Sequence, residues 1–115
     1  MALDTHLIPD TIAAGTALSA GAAIGNYHVT GLIVPTSWTT GTVTLRVSQD
    51  GVNWAEATDT FGNALAIVVT SGAYVVIPPY LLPGPAFLQI RSGTVATPVN
   101  QATASALSWV ARPYS

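Results

Sequence analysis

Thr42-Val43-Thr44-Leu45-Arg46-Val47-Ser48-Gln49-Asp50-Gly51-Val52 is the stretch that decides the fold class. Val43, Leu45 and Val47 alternate with Thr42, Thr44, Arg46 and Ser48. A period of two is the mark of a strand with one face buried and the other turned outward. The strand runs into Asp50-Gly51, and an Asp-Gly pair between apolar alternations is a strong hairpin signal. The return strand is expected over Val52 to Ala57, carrying Trp54.

The same grammar continues downstream. Asp59-Thr60-Phe61-Gly62-Asn63 reads as a turn, and Ala64 to Thr70 as a strand whose Ile67, Val68 and Val69 are β-branched. Ser71-Gly72 separates it from Ala73 to Ile77, and Pro78-Pro79 ends pairing because proline donates no ladder hydrogen bond. Ala86 to Arg91 is expected as a strand, with Phe87 facing away from Leu88. Ala102 to Ala111 is expected as the last, with Leu107 and Trp109 on one face.

Upstream, His28 to Val34 reads as a strand, with Val29 and Ile33 opposite Leu32 and Val34. Residues 11–24 are rich in Thr, Ala and Gly, and only Ile12, Leu18 and Ile24 are bulky. A helix there would carry Gly15 and Gly21 at about 1 kcal/mol each, so the segment is expected to be extended. Short segments punctuated by regular turn signals spell an all-β, single-domain sandwich, jelly-roll-like, of roughly seven to nine antiparallel strands. Residues 1–27 are expected to form an N-terminal arm or first weak strands, and residues 28–115 the sandwich.

The 115 residues carry no Cys and no Lys; Arg46, Arg91 and Arg112 face Asp4, Asp10, Asp50, Glu56 and Asp59, a net charge of −2. A chain of this length suits one domain, which would bury roughly two thirds of its unfolded surface. Charged residues make up 7% of it, where about 25% is usual. Three scattered arginines supply neither a nucleic-acid track nor a polybasic membrane patch. Disorder requires low hydrophobicity with high charge, the reverse of this chain. Absent cysteine removes disulfides, thiolate catalysis and thiolate zinc sites. Mean hydropathy is +0.49, yet the apolar runs fall far below the roughly 18 residues of a spanning helix. Met1 to His6 has an acid where a secretory leader would have a basic region, so the chain is expected to stay where it is made or to leave within something larger.

Candidate chemistry is sparse, and no cofactor or metal is expected. His6 with Asp4, or Asp50 with Glu56 across the hairpin, are the nearest approach to a metal pair. A Ser-His-Asp arrangement would need His28, and no Gly-x-Ser-x-Gly elbow exists. Asp50 and Asp59 are explained as turn residues, Asp tolerating the left-handed conformation such a turn needs. The chain is therefore expected not to be an enzyme. Trp54 and Trp109 are expected to fill the core or a subunit seam, and Trp38, in a Pro35-Thr36-Ser37 loop, to be the exposed one. The alternative for Trp38, Trp54 and the tyrosines is a stacking platform for sugars.

Outward strand positions are expected to be Thr, Ser, Ala and Val, and strands without Lys or Glu on their edges are unprotected against pairing with a neighbour. Such edges are tolerated when they are covered, so the chain is expected to work as a subunit.

The run Leu45 to Trp54, followed by Phe87-Leu88-Gln89-Ile90-Arg91-Ser92-Gly93-Thr94 and Pro98-Val99-Asn100-Gln101, resembles small structural proteins of tailed bacteriophages. The resemblance covers roughly residues 42–113. It implies a virion component, most like a capsid decoration (cement) protein that bridges major capsid subunits on the outer head. Such a protein would be a homotrimer made in the bacterial host cytoplasm, touching neither nucleic acid nor membrane. Under this resemblance Arg91 serves as a polar anchor, to Asp59 or Asp50 or across a subunit boundary. Gly93, Asn100 and Gln101 would hold its loop, and Asp50-Gly51 the hairpin. The alternatives are a carbohydrate-binding or host-recognition module and a tail or neck subunit.

Overall fold

A computed structural model describes residues 5–25, 27–39, 41–78, 81–82 and 84–113. Its nine strands are β1 (His6–Ile12), β2 (Ala22–Ala23), β3 (Tyr27–Ile33), β4 (Thr42–Ser48), β5 (Trp54–Glu56), β6 (Ala66–Val68), β7 (Tyr74–Val76), β8 (Phe87–Ser92) and β9 (Ser105–Pro113), and no helix occurs among the described residues. They form two antiparallel sheets. One has the order β1-β9-β3-β7; the other has β2-β8-β4-β5, with β6 beside β5 on the same edge of β4. With β6 set aside and the other eight strands counted in chain order, the two sheets read 1-8-3-6 and 2-7-4-5. That is the strand order of a jelly roll, two Greek keys closed on one core.

The expected inward residues lie inward. Val43, Leu45, Leu88, Ile90, Leu107 and Trp109 are fully buried between the sheets with Ile12 and Leu32. Val29 shares their side, contrary to the strict alternation expected of residues 28–34. The register of β3 against β9 shifts between Val29 and Gly31, and one inserted residue turns every earlier side chain to the other face. Thus Val29 and Leu32 are both core, while Ile33 is exposed.

The N-terminal segment belongs to the sandwich. β1 pairs with β9 over seven residues, His6 opposite Ala111 through Ile12 opposite Ser105. The stretch between β1 and β2 is laced to its own domain: Ser92 N–H donates to Ala17 O at 2.7 Å and Ser19 N–H to Ile90 O at 2.8 Å. Within residues 1–27 the described part holds β1, β2 and the first residue of β3. Asp10, inward on β1 and 1% exposed, accepts from Gly21 N–H at 2.9 Å and from Trp109 Nε1 at 3.2 Å. Burial raises its pKa above the ordinary carboxylate value, and donors on Ser19, Trp109 and Gly21 hold that rise back.

The Asp50-Gly51 hairpin forms, but Asp50 acts differently from the expectation. Gly51 alone takes the left-handed conformation, at φ +80°, and no non-glycine residue has positive φ among those described. Asp50 instead accepts: its Oδ1 takes the N–H groups of Val52 at 2.9 Å and Asn53 at 2.8 Å, and Oδ2 takes Asn53 Nδ2 at 2.7 Å. Those bonds, the Asn53 backbone first, hold its carboxyl far below the usual range. Asp59 repeats the device with Phe61 and Asn63, and there Gly62 carries the positive φ.

Candidate functional site

Pleating and register build the outer face of the β4 sheet. Arg46 stands opposite Gln89 on β8 and Glu56 on β5, while Thr44 stands opposite Arg91 and Ala66. Thr44 is short, so Arg91 reaches across β4 above it. Both of its terminal nitrogens donate to Glu56, Nη1 to Oε1 and Nη2 to Oε2 at 2.8 Å. A planar fork on a planar carboxylate is the strongest geometry open to an ion pair. Arg46 Nε lies 3.2 Å from the same Oε2 without the alignment of a hydrogen bond. Its Nη1 donates to Gln89 Oε1 at 3.3 Å, and Gln89 in turn donates to Ser19 O at 2.8 Å.

Arg91 pairs within the fold with an acid other than the Asp59 or Asp50 expected for it. Asp50 and Asp59 are committed to their own turns, and Glu56 is the partner. The Arg91 hydrogen bonds, then the charges of both arginines, hold the Glu56 carboxyl below its ordinary value against the opposing effect of burial. Glu56 in return raises Arg91. The Asp50–Glu56 metal pair is not assembled, since each carboxylate has other partners. Asp4 lies outside the described residues, and among those described no three metal-ligating groups cluster.

Trp54 lies half-buried beside this cluster, its ring edge-on to Phe87 at 6.5 Å between centroids. Trp109 is in the core as expected, and Trp38 is a correction. It is 5% exposed and part of the core cluster. The Pro-Thr-Ser context does make a turn, but the chain folds back and the indole enters the end of the sandwich. Burying so large an apolar group outweighs the polarity of the loop that carries it. A row of solvent-facing tryptophans is not present among the described residues.

Gly93 shapes the turn that follows β8, and Gln101 joins the two sheets. At Gly93 φ is +86°, and a Cβ would stand 2.5 Å from Thr97 O, so only glycine fits. Its N–H donates to Thr42 O at 2.9 Å, and its carbonyl accepts from Thr44 Oγ1 at 3.2 Å. Gln101 is fully buried. Its Nε2 donates to Ser92 Oγ on β8 at 2.8 Å, and its Oε1 accepts from Ser105 Oγ on β9 and Thr39 Oγ1, both at 3.2 Å. Its backbone exchanges bonds with Gly15 and Thr16. Asn100, its neighbour in sequence, is exposed.

The other outer face went unseen in the sequence because it combines four distant segments. Register sets Leu7, Val110, Gly31 and Val76 in one row and Pro9, Ser108, Ile33 and Tyr74 in the next. Leu7 is 61% exposed, Tyr74 53% and Val76 73%. No side chain in these rows carries a charge. Arg112 stands opposite His28 at the far end of the sheet. Phe61 (87% exposed) and Val68 (77%) add apolar surface elsewhere. The sequence from 60 to 90 contains no charged residue at all.

Comparison with family models, curated proteins and solved structures gives no match to this chain.

Proposed function

We propose that this protein is a structural subunit of a larger shell, acting as a capsid decoration protein of a tailed bacteriophage. Its work is adhesion: it buries area against neighbouring shell subunits and copies of itself. The observation that carries the reading is the pair of uncharged rows on this outer face that exposes Leu7, Ile33, Tyr74 and Val76. A monomer that stays dispersed usually covers such a face with charge, and contiguous exposed apolar surface marks an interaction site. The jelly-roll strand order suits this role without being specific to it, since the architecture serves capsid and lectin domains alike.

The ion cluster on the opposite face supports the same assignment through rigidity. Arg91, Glu56 and Arg46 cross-link three strands. The sugar-reading alternative would rest on Trp54 and the tyrosines, of which Tyr74 is exposed, since Trp38 and Trp109 are buried.

Mixing the purified protein with mature heads of the phage that encodes it, followed by sedimentation and negative-stain imaging, tests the proposal. Saturable, regularly spaced binding is expected, and the protein should appear among virion components by mass spectrometry. Absence from virions together with quenching of tryptophan fluorescence by a sugar would replace adhesion with recognition.

A further inference from the structure

The open edge of β7 has a property that neither its length nor its composition announces. Val34 N–H donates to Ala73 O at 2.9 Å and Ile77 N–H to Thr30 O at 3.1 Å. These bonds, with the register Gly31–Val76, Leu32–Val75 and Ile33–Tyr74, fix which residues of β7 face β3. In an antiparallel ladder alternate pairs exchange both hydrogen bonds. Ala73, Val75 and Ile77 therefore turn their backbone groups toward β3, while Tyr74 and Val76 turn theirs to the open side.

An edge whose outward residues lie symmetrically about one central residue is its own complement under a twofold axis. With Val75 on the axis, Tyr74 meets Val76 of a second copy and Val76 meets its Tyr74. Both are hydrogen-bonded pairs, so four backbone bonds form and every outward group of β7 is satisfied. On the outer face the Cβ of each Tyr74 then stands beside Val76 across the seam, while its ring lies back over Gly31 of its own sheet and leaves the backbone of the edge uncovered.

The other edges lack this combination. β1 carries Pro9, which has no donor, and β2 has two residues. β5 carries Glu56, already held by the arginines. β6 would place Ala66 where β7 has its aromatic. β7 also lacks every usual guard against edge pairing, having no charge, no proline and no bulge within it.

We infer that β7 pairs with β7 of a second copy about a twofold axis, joining two four-stranded sheets into one of eight. The inference rests on the reading of this chain as a subunit with covered flanks, and adds which flank and which symmetry. The contact is isologous, whereas the resemblance to decoration proteins implies a threefold cluster; in such a cluster it would link one cluster to the next. The edge is three residues long, so pairing is expected to be weak in dilute solution and to gain from repetition in a lattice.

The chain has no cysteine, so one introduced thiol reports the contact without interference. In the pairing above the two Val75 residues form a non-hydrogen-bonded pair, whose Cα atoms stand about 4.5 Å apart, within disulfide reach. Val75→Cys should therefore oxidise to a covalent dimer at least tenfold faster than Val95→Cys, which places a thiol on an exposed loop. Independently, Val76→Pro removes an outward donor without touching the β3 ladder. It should raise the dimer dissociation constant in sedimentation at least tenfold while the circular dichroism spectrum is unchanged. Equal crosslinking at 75 and 95, or undiminished dimerisation of Val76→Pro, would overturn the inference. Head binding separates it from the functional reading: protein that decorates heads but fails both tests loses only this interface. Protein that passes both and ignores heads keeps the interface and loses the shell.

Discussion

The two outer faces of this sandwich are made by the same pleat and have opposite chemistry. On the β4 sheet, Arg91, Glu56, Arg46 and Gln89 are paired with one another within the fold. On the β1-β9-β3-β7 sheet, Leu7, Ile33, Tyr74 and Val76 stand exposed with no charge among them. The difference teaches where stability and association reside. Removing a member of the first set should injure the fold. Changing a member of the second should leave the fold intact and alter what it sticks to.

The strongest way to break that contrast is to separate the sheets. Gln101→Ala strips partners from the buried Ser92 and Ser105, and should cost about 3 kcal/mol in urea unfolding, at roughly 1–3 kcal/mol per orphaned group with partial relaxation. Next in size, Glu56→Ala leaves two guanidinium groups facing each other. Because Glu56 is about one-third exposed, solvent screens part of the loss and about 1–2 kcal/mol is expected. Glu56→Gln, which keeps shape and one acceptor, should cost less.

A pH series sharpens the same point. The folded-state pKa of Glu56 lies below its unfolded value, so its contribution is complete above the ordinary value of about 4.5 and is lost as pH falls through the folded value. The stability gap between wild type and Glu56→Gln should therefore narrow on acidification below about pH 4.5. Asp10 acts with the opposite sign: its pKa is raised, so its carboxylate costs stability as pH rises above about 3.8 and leaves the Glu56 difference unmasked. The smallest effect falls on the open face. Leu7→Lys should change unfolding free energy by no more than about 0.5 kcal/mol, while lowering head binding measurably. A destabilisation equal to that of Glu56→Ala would show the open face to be structural.

Legibility varied with the range of the signal. Inward and outward sides of β4, β8 and β9 follow from alternation, because a strand's side-chain period depends only on neighbouring residues. Val29 escaped because a bulge resets that period, and the hydrogen bonds that hold a bulge come from another strand. Trp38 escaped because loop composition says where the backbone turns and not where a large ring is sent. The acid that receives Arg91 is not legible in the sequence. Glu56 meets Arg91 only through the register of three strands, two of them far apart in sequence.

What residue order by itself determined is the fold class, the hairpin at Asp50-Gly51, the poverty of charge and the apolar inner rows. All of these are encoded within a few consecutive residues or in simple composition. The tertiary structure alone decided that Glu56 receives Arg91, that Gln101 joins the sheets, and that Leu7, Ile33, Tyr74 and Val76 share one face. Each depends on strand order and register, and those are set by which whole arrangement buries the most apolar surface with its backbone groups paired.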